Sequence, residues 1–243
     1  MLKQKIIIVD YYQCIADPNI LIASTANRGQ LTLHRCPIPE KRETHGQLYI
    51  TTKGLFFSLT DLGLRQVFEH FPPSMRIRGR HCHNGKRGCD YPRMYHFGPQ
   101  CCHVLSCTTF HGPRPVIDGV KYQCDHKNGC VTDWCKDNVE WVSPRENHRR
   151  RRILKALRSI HINPAHVPYN ILDVFLNPDI VSDIPEFTRR IAALHNLLGT
   201  LYIFYPDDFK RWLTIPTEEF NDMISHYYRV DTHNLAGDVY EGD

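Results

Sequence analysis

The stretches KYQCDHKNG (residues 121–129) and DNVEWVSPREN (residues 137–147) decide the fold of the central part of this chain. Short apolar and aromatic runs bounded by turn residues predict two strands, over residues 121–125 and 138–142. The polar, glycine-containing segment between them predicts a loop. We therefore expect a two-stranded hairpin here.

A helix is predicted to follow this hairpin directly, over residues 143–159. Ser143 is a favourable N-cap, Pro144 occupies the first helical position, and Glu146 completes a capping box. An apolar face follows at helical spacing, made of Ile153, Leu154, Leu157 and Ile160. Asn147 lies seven residues before Leu154, so both share the helix face that would pack across the hairpin.

Polar residues of this segment suit the hydrolysis of a phosphodiester bond. That reaction needs a base for water and a positive charge near the phosphate and the departing oxygen. Asp125 and His126 stand where the first strand ends, and the predicted packing brings Asn147 close to them. A histidine with a divalent cation held by oxygen ligands meets these needs.

The pattern D-H-x-N-G followed by D-N-V-E-W-V-S-P-R-E-N resembles the HNH (ββα-metal) endonucleases of phages and mobile introns. The upstream CHVLSCTTFHGP (residues 102–113) is similar to the short helix before the motif in that family. QLYITTKG (residues 47–54) resembles, more loosely, their N-terminal strand module. The resemblance covers residues 94–152.

The resemblance assigns a role to each motif residue. It implies that His126 is the general base, that Asp125 and Asn147 are the metal ligands, and that Asn138 orients the loop and the histidine. Oxygen ligands favour Mg²⁺ or Mn²⁺. Because neighbouring residues of a regular strand face opposite sides, we expect an irregular strand at Asp125 and His126.

Two basic clusters are candidate nucleic-acid contacts, because guanidinium groups bind phosphates in bidentate fashion. The alternative for each is a solvated surface. The first lies on the predicted helix and comprises Arg145, Arg149, Arg150, Arg151, Arg152 and Lys155. The second precedes the motif and includes Arg78, Arg80, Lys86 and Arg87.

The 10 cysteines allow a structural Zn²⁺, but no CxxC pair or common finger spacing is present, so zinc is not favoured. The two conceivable ligand groups are His81, Cys82, His83 and Cys89 with Cys101 and Cys102, and a second set of Cys124, Cys130 and Cys135. Small buried thiols are the alternative.

Composition and element pattern predict an α+β protein in three parts. These are a strand-rich region over residues 1–93 with a helix at residues 61–71, the nuclease module over residues 94–160, and a mainly helical region over residues 161–243. The helices of that last region are expected at residues 169–176, 185–198, 207–213 and 217–229, with a strand at residues 201–205.

The net charge of +4 permits DNA as a partner without requiring it. The apolar run at residues 6–9 is too short for a signal-peptide core, and no run reaches the length of a membrane span. We therefore expect a cytoplasmic protein of a bacterial or phage-infected cell, in no particular oligomeric state. The alternatives to a nuclease are a non-catalytic DNA-binding protein derived from one, and a zinc-stabilised interaction module.

Overall fold

A computed structural model describes residues 5–37, 46–68, 91–94, 100–199 and 204–235, and the side chains up to residue 226. The chain forms two compact units. Unit 1 contains Met1–His126 and Cys130–Asn147, and unit 2 contains Lys127–Gly129 and His148–Asp243. Antiparallel strands make up most of unit 1 and helices make up unit 2, which confirms the α+β class.

A six-stranded antiparallel sheet opens unit 1, with its strands in sequence order. It is nearly closed, because the Ile6 amide before the first strand donates to Gln66 Oε1 of the last at 2.7 Å. Leu21, Leu33 and Phe57 are among the side chains buried inside it. The strands are β1 Ile8–Gln13, β2 Ile20–Thr25, β3 Gly29–Arg35, β4 Gln47–Ile50, β5 Phe56–Thr60 and β6 Gly63–Val67.

The helix predicted at residues 61–71 is wrong over the described residues 61–68, which form a turn and strand β6. Leu64 and Val67 are spaced as on a helix, but pairing with β5 buries Leu64 instead. Gly63, at φ +95°, forms the tight turn that starts this strand. Short apolar runs fit either structure, and tertiary pairing decides between them.

The rest of unit 1 is a set of short elements around one helix. It comprises β7 Arg93–Met94, β8 Gln100–Cys101, α1 Cys102–His111, β9 Val116–Ile117, β10 Val120–Lys121, β11 Gln123–His126 and β12 Val139–Val142. The strands pair as β7 with β8, β9 with β10, and β11 with β12. The predicted hairpin is therefore confirmed as β11 and β12.

Helix α2, Pro144–Ser159, begins where the capping residues predict. Ser143 Oγ accepts a hydrogen bond from the Glu146 amide at 3.1 Å, which satisfies one of the unpaired N–H groups of the first turn. The first four residues of the helix belong to unit 1 and the remainder to unit 2.

Unit 2 is helical and has one apolar core. A 3₁₀ turn, Pro164–His166, leads into α3 Tyr169–Leu176, α4 Ile184–Leu198, α5 Pro206–Thr214 and α6 Thr217–Leu235. All four predicted helices are confirmed. Of the strand predicted at residues 201–205, residues 201–203 lie outside the described residues, and residues 204 and 205 are not in a strand. Within the described part of the chain, no helix is both long and apolar enough to cross a membrane.

A buried arginine ties α4 to the segment between α5 and α6. The Arg190 guanidinium donates to Glu186 Oε1 at 2.6 Å, Trp212 O at 2.8 Å and Ile215 O at 2.7 Å. Hydrogen bonds from Arg189 and Arg190 lower the pKa of Glu186 to about 2. The ionised carboxylate is thus part of the packing of unit 2.

Replacing Glu186 with Gln should remove a pH-dependent contribution to stability. The pKa of Glu186 falls from its ordinary 4.5 to about 2 on folding, so its stabilisation is complete above pH 4.5 and is lost as pH falls towards 2. Urea denaturation at a series of pH values should show that the free energies of unfolding of the wild type and the variant differ most near neutral pH. Near pH 2 they should be almost equal.

Asp207→Asn is the matched control, because Asp207 pairs with Lys210 at 2.8 Å on an exposed surface of the same unit. We expect this change to cost less than about 0.5 kcal/mol, as is usual for exposed ion pairs. A Glu186→Gln difference that does not shrink on acidification would contradict the assignment.

Candidate active site

The side chains of β11 are sorted onto two faces by regular pairing with β12. Asp125 is opposite Glu140, and His126 is opposite Val139, without a register shift. Consecutive residues of such a strand point to opposite faces. Gln123 and Asp125 therefore share one face, and His126 lies on the other. The irregular strand expected at this point is not present.

The Asp125 face of the hairpin meets the first turn of α2. Asn147 Nδ2 donates to Gln123 Oε1 at 2.6 Å, which places Asn147 on the strand face that also carries Asp125. Asn147 is 4% exposed. Its Oδ1 is buried and accepts no hydrogen bond from the described residues. The two predicted metal ligands, Asp125 and Asn147, thus lie on one face of the hairpin, and each has an oxygen atom that could bind a metal ion.

The His126 face of the hairpin meets α1. His126 is 4% exposed, and its ring centroid lies 5.0 Å from that of His103 and 5.8 Å from that of Tyr91. Cys124, on the same face, donates its thiol hydrogen to His103 O at 3.3 Å. The structure therefore surrounds the predicted base with two aromatic rings.

Burial keeps both imidazoles of this face neutral. It lowers the pKa of His126 to about 4, although the carboxylate of Asp133 acts in the opposite direction. Burial, and then the proximity of His126, lower the pKa of His103 to about 3. At neutral pH the His126 ring therefore has a free lone pair and can accept a proton.

Asn138 anchors the loop between β11 and β12 from inside. Its side chain is fully buried, and Nδ2 donates to Asp133 O at 2.5 Å. The backbone N–H of Asn138 donates to Cys135 O at 3.1 Å. This is an orienting role within the loop, and the same loop carries the Asp133 carboxylate that acts on His126.

The loop is also docked on the turn between β4 and β5. Trp134 Nε1 donates to Gly54 O at 2.8 Å, and the Lys136 amide donates to Thr52 O at 2.9 Å. Gly54 has φ +78°, and a Cβ there would lie 2.8 Å from Trp134 Cδ1. The N-terminal sheet thereby supports the loop that Asn138 anchors.

The predicted basic residues of α2 differ in their surroundings. Arg149 donates to Leu176 O and, at 3.0 Å, to Val181 O, so its guanidinium contributes to the packing of unit 2. Arg150 is half-buried. The exposed members are Arg145, Arg151, Arg152 and Lys155. Arg78, Arg80, Lys86 and Arg87 lie outside the described residues.

Among the described residues, no three or more His, Cys, Asp or Glu side chains form a group that could hold a metal ion. Cys101, Cys102, Cys124, Cys130 and Cys135 are not joined in disulfides. His81, Cys82, His83 and Cys89 lie outside the described part. Asp125 and Asn147 are only two residues, and they supply oxygen, the ligand atom that Mg²⁺ and Mn²⁺ prefer.

Several residues of the site were missed from the sequence. His103, Tyr91, Asp133 and Trp134 contact or influence the site through the fold, at large sequence separation in three of the four cases. Gly54 alone had a local signal, since a glycine ending a polar turn is typical of positive φ. Nothing in the sequence linked it to Trp134.

Comparison with known proteins adds no family to this geometry. No protein-family model matches the chain, and neither a curated protein nor a solved structure matches it significantly.

Gly54→Ala should destabilise the protein more than Gly119→Ala. Both glycines have positive φ, +78° and +74°, but an added Cβ meets Trp134 only at Gly54 and lies in open space at Gly119. We expect Gly119→Ala to lower the free energy of unfolding by about 1–2 kcal/mol, because of backbone strain. Gly54→Ala should lower it by about 2–4 kcal/mol, because overpacking against Trp134 is added. Urea denaturation of the two variants measures both; equal losses would show that the loop does not depend on this contact.

Proposed function

We propose that this protein is a metal-dependent DNA endonuclease of the ββα-metal (HNH) class. The observation that carries the proposal is the Oδ1 of Asn147, which is buried on the hairpin face of Asp125 and has no hydrogen-bond partner among the described residues. A buried acceptor without a hydrogen bond is costly, and a cation is the partner that an oxygen pair of this kind can hold. A hairpin followed directly by a capped helix is the order of elements that the resemblance implies, which supports the proposal.

Asp125 and Asn147 fit a hard divalent cation, because each offers an oxygen and few protein ligands are needed when water and phosphate fill the other positions. When bound, Mg²⁺ or Mn²⁺ supplies positive charge to the phosphate and to the departing 3′-oxygen. The hydrogen bond from Asn147 to Gln123 directs the amide so that Oδ1, rather than Nδ2, remains for the ion. The sequence pattern and the donor chemistry thus agree.

His126 takes the proton of the attacking water. Its Nε2 is buried and has no partner among the described residues, so we assign the proton transfer to Nδ1. The pair His126 and Val139 ends the ladder of β11 and β12. We place the phosphate at this loop end of the hairpin, where Asp125 and His126 are neighbours although their side chains point to opposite faces.

DNA is the proposed substrate because exposed basic side chains follow Asn147 on the same helix. Arg151, Arg152 and Lys155 are exposed and suited to phosphate contact. Hydrolysis with His126 as base yields a 5′-phosphate and a 3′-hydroxyl, as the family resemblance implies. Because phosphates carry no sequence information, these contacts position the DNA without selecting a target.

Supercoiled plasmid incubated with the protein should be nicked in Mg²⁺ and left intact in EDTA. His126→Ala should lower the rate at least about 100-fold, the usual contribution of a general base, while DNA binding persists. Asn147→Ala should also lower the rate and raise the Mg²⁺ concentration needed for half-maximal cutting. Agarose gels at several Mg²⁺ concentrations measure both effects.

His166→Ala is the control, because His166 is an exposed histidine in the helical unit and should leave cutting unchanged. Cutting by His126→Ala at the normal rate would refute the assignment of the base. Salt-dependent DNA binding without cutting, over a panel of metals and DNAs, would instead support the non-catalytic DNA-binding alternative.

Replacing both Arg151 and Arg152 with Ala should weaken DNA binding and make the remaining binding less dependent on salt. Each lost phosphate contact should reduce the slope of log K against log salt by about 0.9. Arg149→Ala should act differently and lower the free energy of unfolding, because Leu176 O and Val181 O lose their donor. Fluorescence anisotropy from 50 to about 200 mM salt, with urea denaturation, separates the two roles; unchanged binding by the double variant would exclude these arginines from the interface.

A further inference from the structure

Two histidine rings behind the hairpin each have one buried nitrogen without a hydrogen-bond partner among the described residues. His103 on α1 is 6% exposed and His126 on β11 is 4% exposed. The buried nitrogens are His103 Nδ1 and His126 Nε2, and neither has a hydrogen-bond partner in the described part of the chain. The ring centroids are 5.0 Å apart, with the planes tilted by 49°.

The chemistry of a neutral imidazole makes this pair complementary. Such a ring carries one N–H and one lone pair. If His126 receives the proton of water at Nδ1, its hydrogen must reside on Nε2, where it is buried and requires an acceptor. An N–H···N hydrogen bond of about 3 Å between two imidazoles places their centroids roughly 5 Å apart. His103 Nδ1 lies in a ring at that separation.

We propose that His103 is a positioning residue that selects the tautomer of His126. Its Nδ1 accepts the hydrogen bond from Nε2–H of His126, directly after a small ring rotation or through one buried water. The bond holds His126 in the form whose Nδ1 lone pair faces the attacking water. This inference rests on the proposed function, since it assigns a role in the same reaction.

The surroundings fix His103 relative to the strand that carries His126. The thiol of Cys124, two residues before His126, donates to His103 O, so α1 and β11 are joined next to both rings. Tyr91 closes the other side, with its ring centroid 4.2 Å from that of His103 and its plane within 8° of that of His126. The acceptor therefore cannot drift from the base without breaking these contacts.

Two substitutions of His103 separate hydrogen bonding from ring packing. His103→Phe keeps a ring but has no acceptor, whereas His103→Asn loses the ring but places Oδ1 near the position of Nδ1. We expect Phe to lower kcat for plasmid nicking about 10- to 100-fold with KM unchanged, part of what a general base contributes. Asn should retain most of the rate. The opposite order would overturn the proposal in favour of packing.

Leu105→Ala is the control for general destabilisation. Leu105 is buried on the same helix, in the core formed with the sheet, so its truncation loosens α1 without removing the acceptor. It should lower stability and leave kcat within about threefold, because transition-state stabilisation is lost only when an interaction of that state is lost. A loss as large as that of His103→Phe would refute a specific role for His103.

The decisive measurement is the tautomer of His126, read from long-range ¹H–¹⁵N correlations of its ring in the DNA-free protein. We expect the Nε2–H form in the wild type and in His103→Asn, and a shift towards Nδ1–H in His103→Phe. A wild-type Nδ1–H form, or no change in His103→Phe, would overturn the proposal. The spectrum does not depend on cutting, so an inactive protein with the expected tautomers would refute only the nuclease. Normal cutting with unresponsive tautomers would refute only the role of His103.

Discussion

The regular pairing of β11 with β12 sends the side chains of neighbouring residues to opposite faces of a two-stranded ribbon. A ribbon this small is not stable by itself in water, so both faces need cover. The first turn of α2 covers the face of Gln123 and Asp125, through the hydrogen bond from Asn147. Helix α1 covers the other face, through the contact of Cys124 with His103. Each polar group of the candidate site is therefore placed by the element that stabilises the hairpin.

The third support comes from the N-terminal sheet. The turn between β4 and β5 receives Trp134 and Lys136 of the hairpin loop, and Asn138 binds that loop from within. Because a loop of this length costs much conformational entropy to order, these contacts are what keep Asp133 near His126. The sheet is thus a structural part of unit 1 that supports the site.

Local chemistry explains which elements were predictable. The helix after the hairpin follows from Ser143 and Pro144, and the helices of unit 2 follow from apolar spacing, since both signals lie within one element. Strand β6 was mistaken for a helix because Leu64 and Val67 are spaced as on one helix face, whereas pairing with β5 forms a strand in which these side chains point to opposite faces. Strand β3 has a weak apolar pattern of its own, and only its neighbours in the sheet define it.

The candidate site was predictable where it follows the sequence motif, and not where it depends on packing. Asn147 was placed beside the first strand by the helix periodicity, and the structure brings it to the face of Asp125 through Gln123. The expected irregularity of β11 was wrong, since it assumed that Asp125 and His126 must face the same side. Contacts of His126 with Tyr91 and His103 arise from separate elements, which no local pattern reveals.

Burial of the motif residues argues against a role confined to turns and caps. Asx residues that only form turns are usually exposed to water, whereas Asn138, Asn147 and Asp125 are all buried. Leaving a buried polar atom without a partner costs about 1–3 kcal/mol, and Asn147 Oδ1 has no hydrogen-bond partner among the described residues. Apolar residues of similar size would stabilise the same hairpin better. The proposed ion beside Asn147 and the proposed base at His126 give these groups a role other than stability.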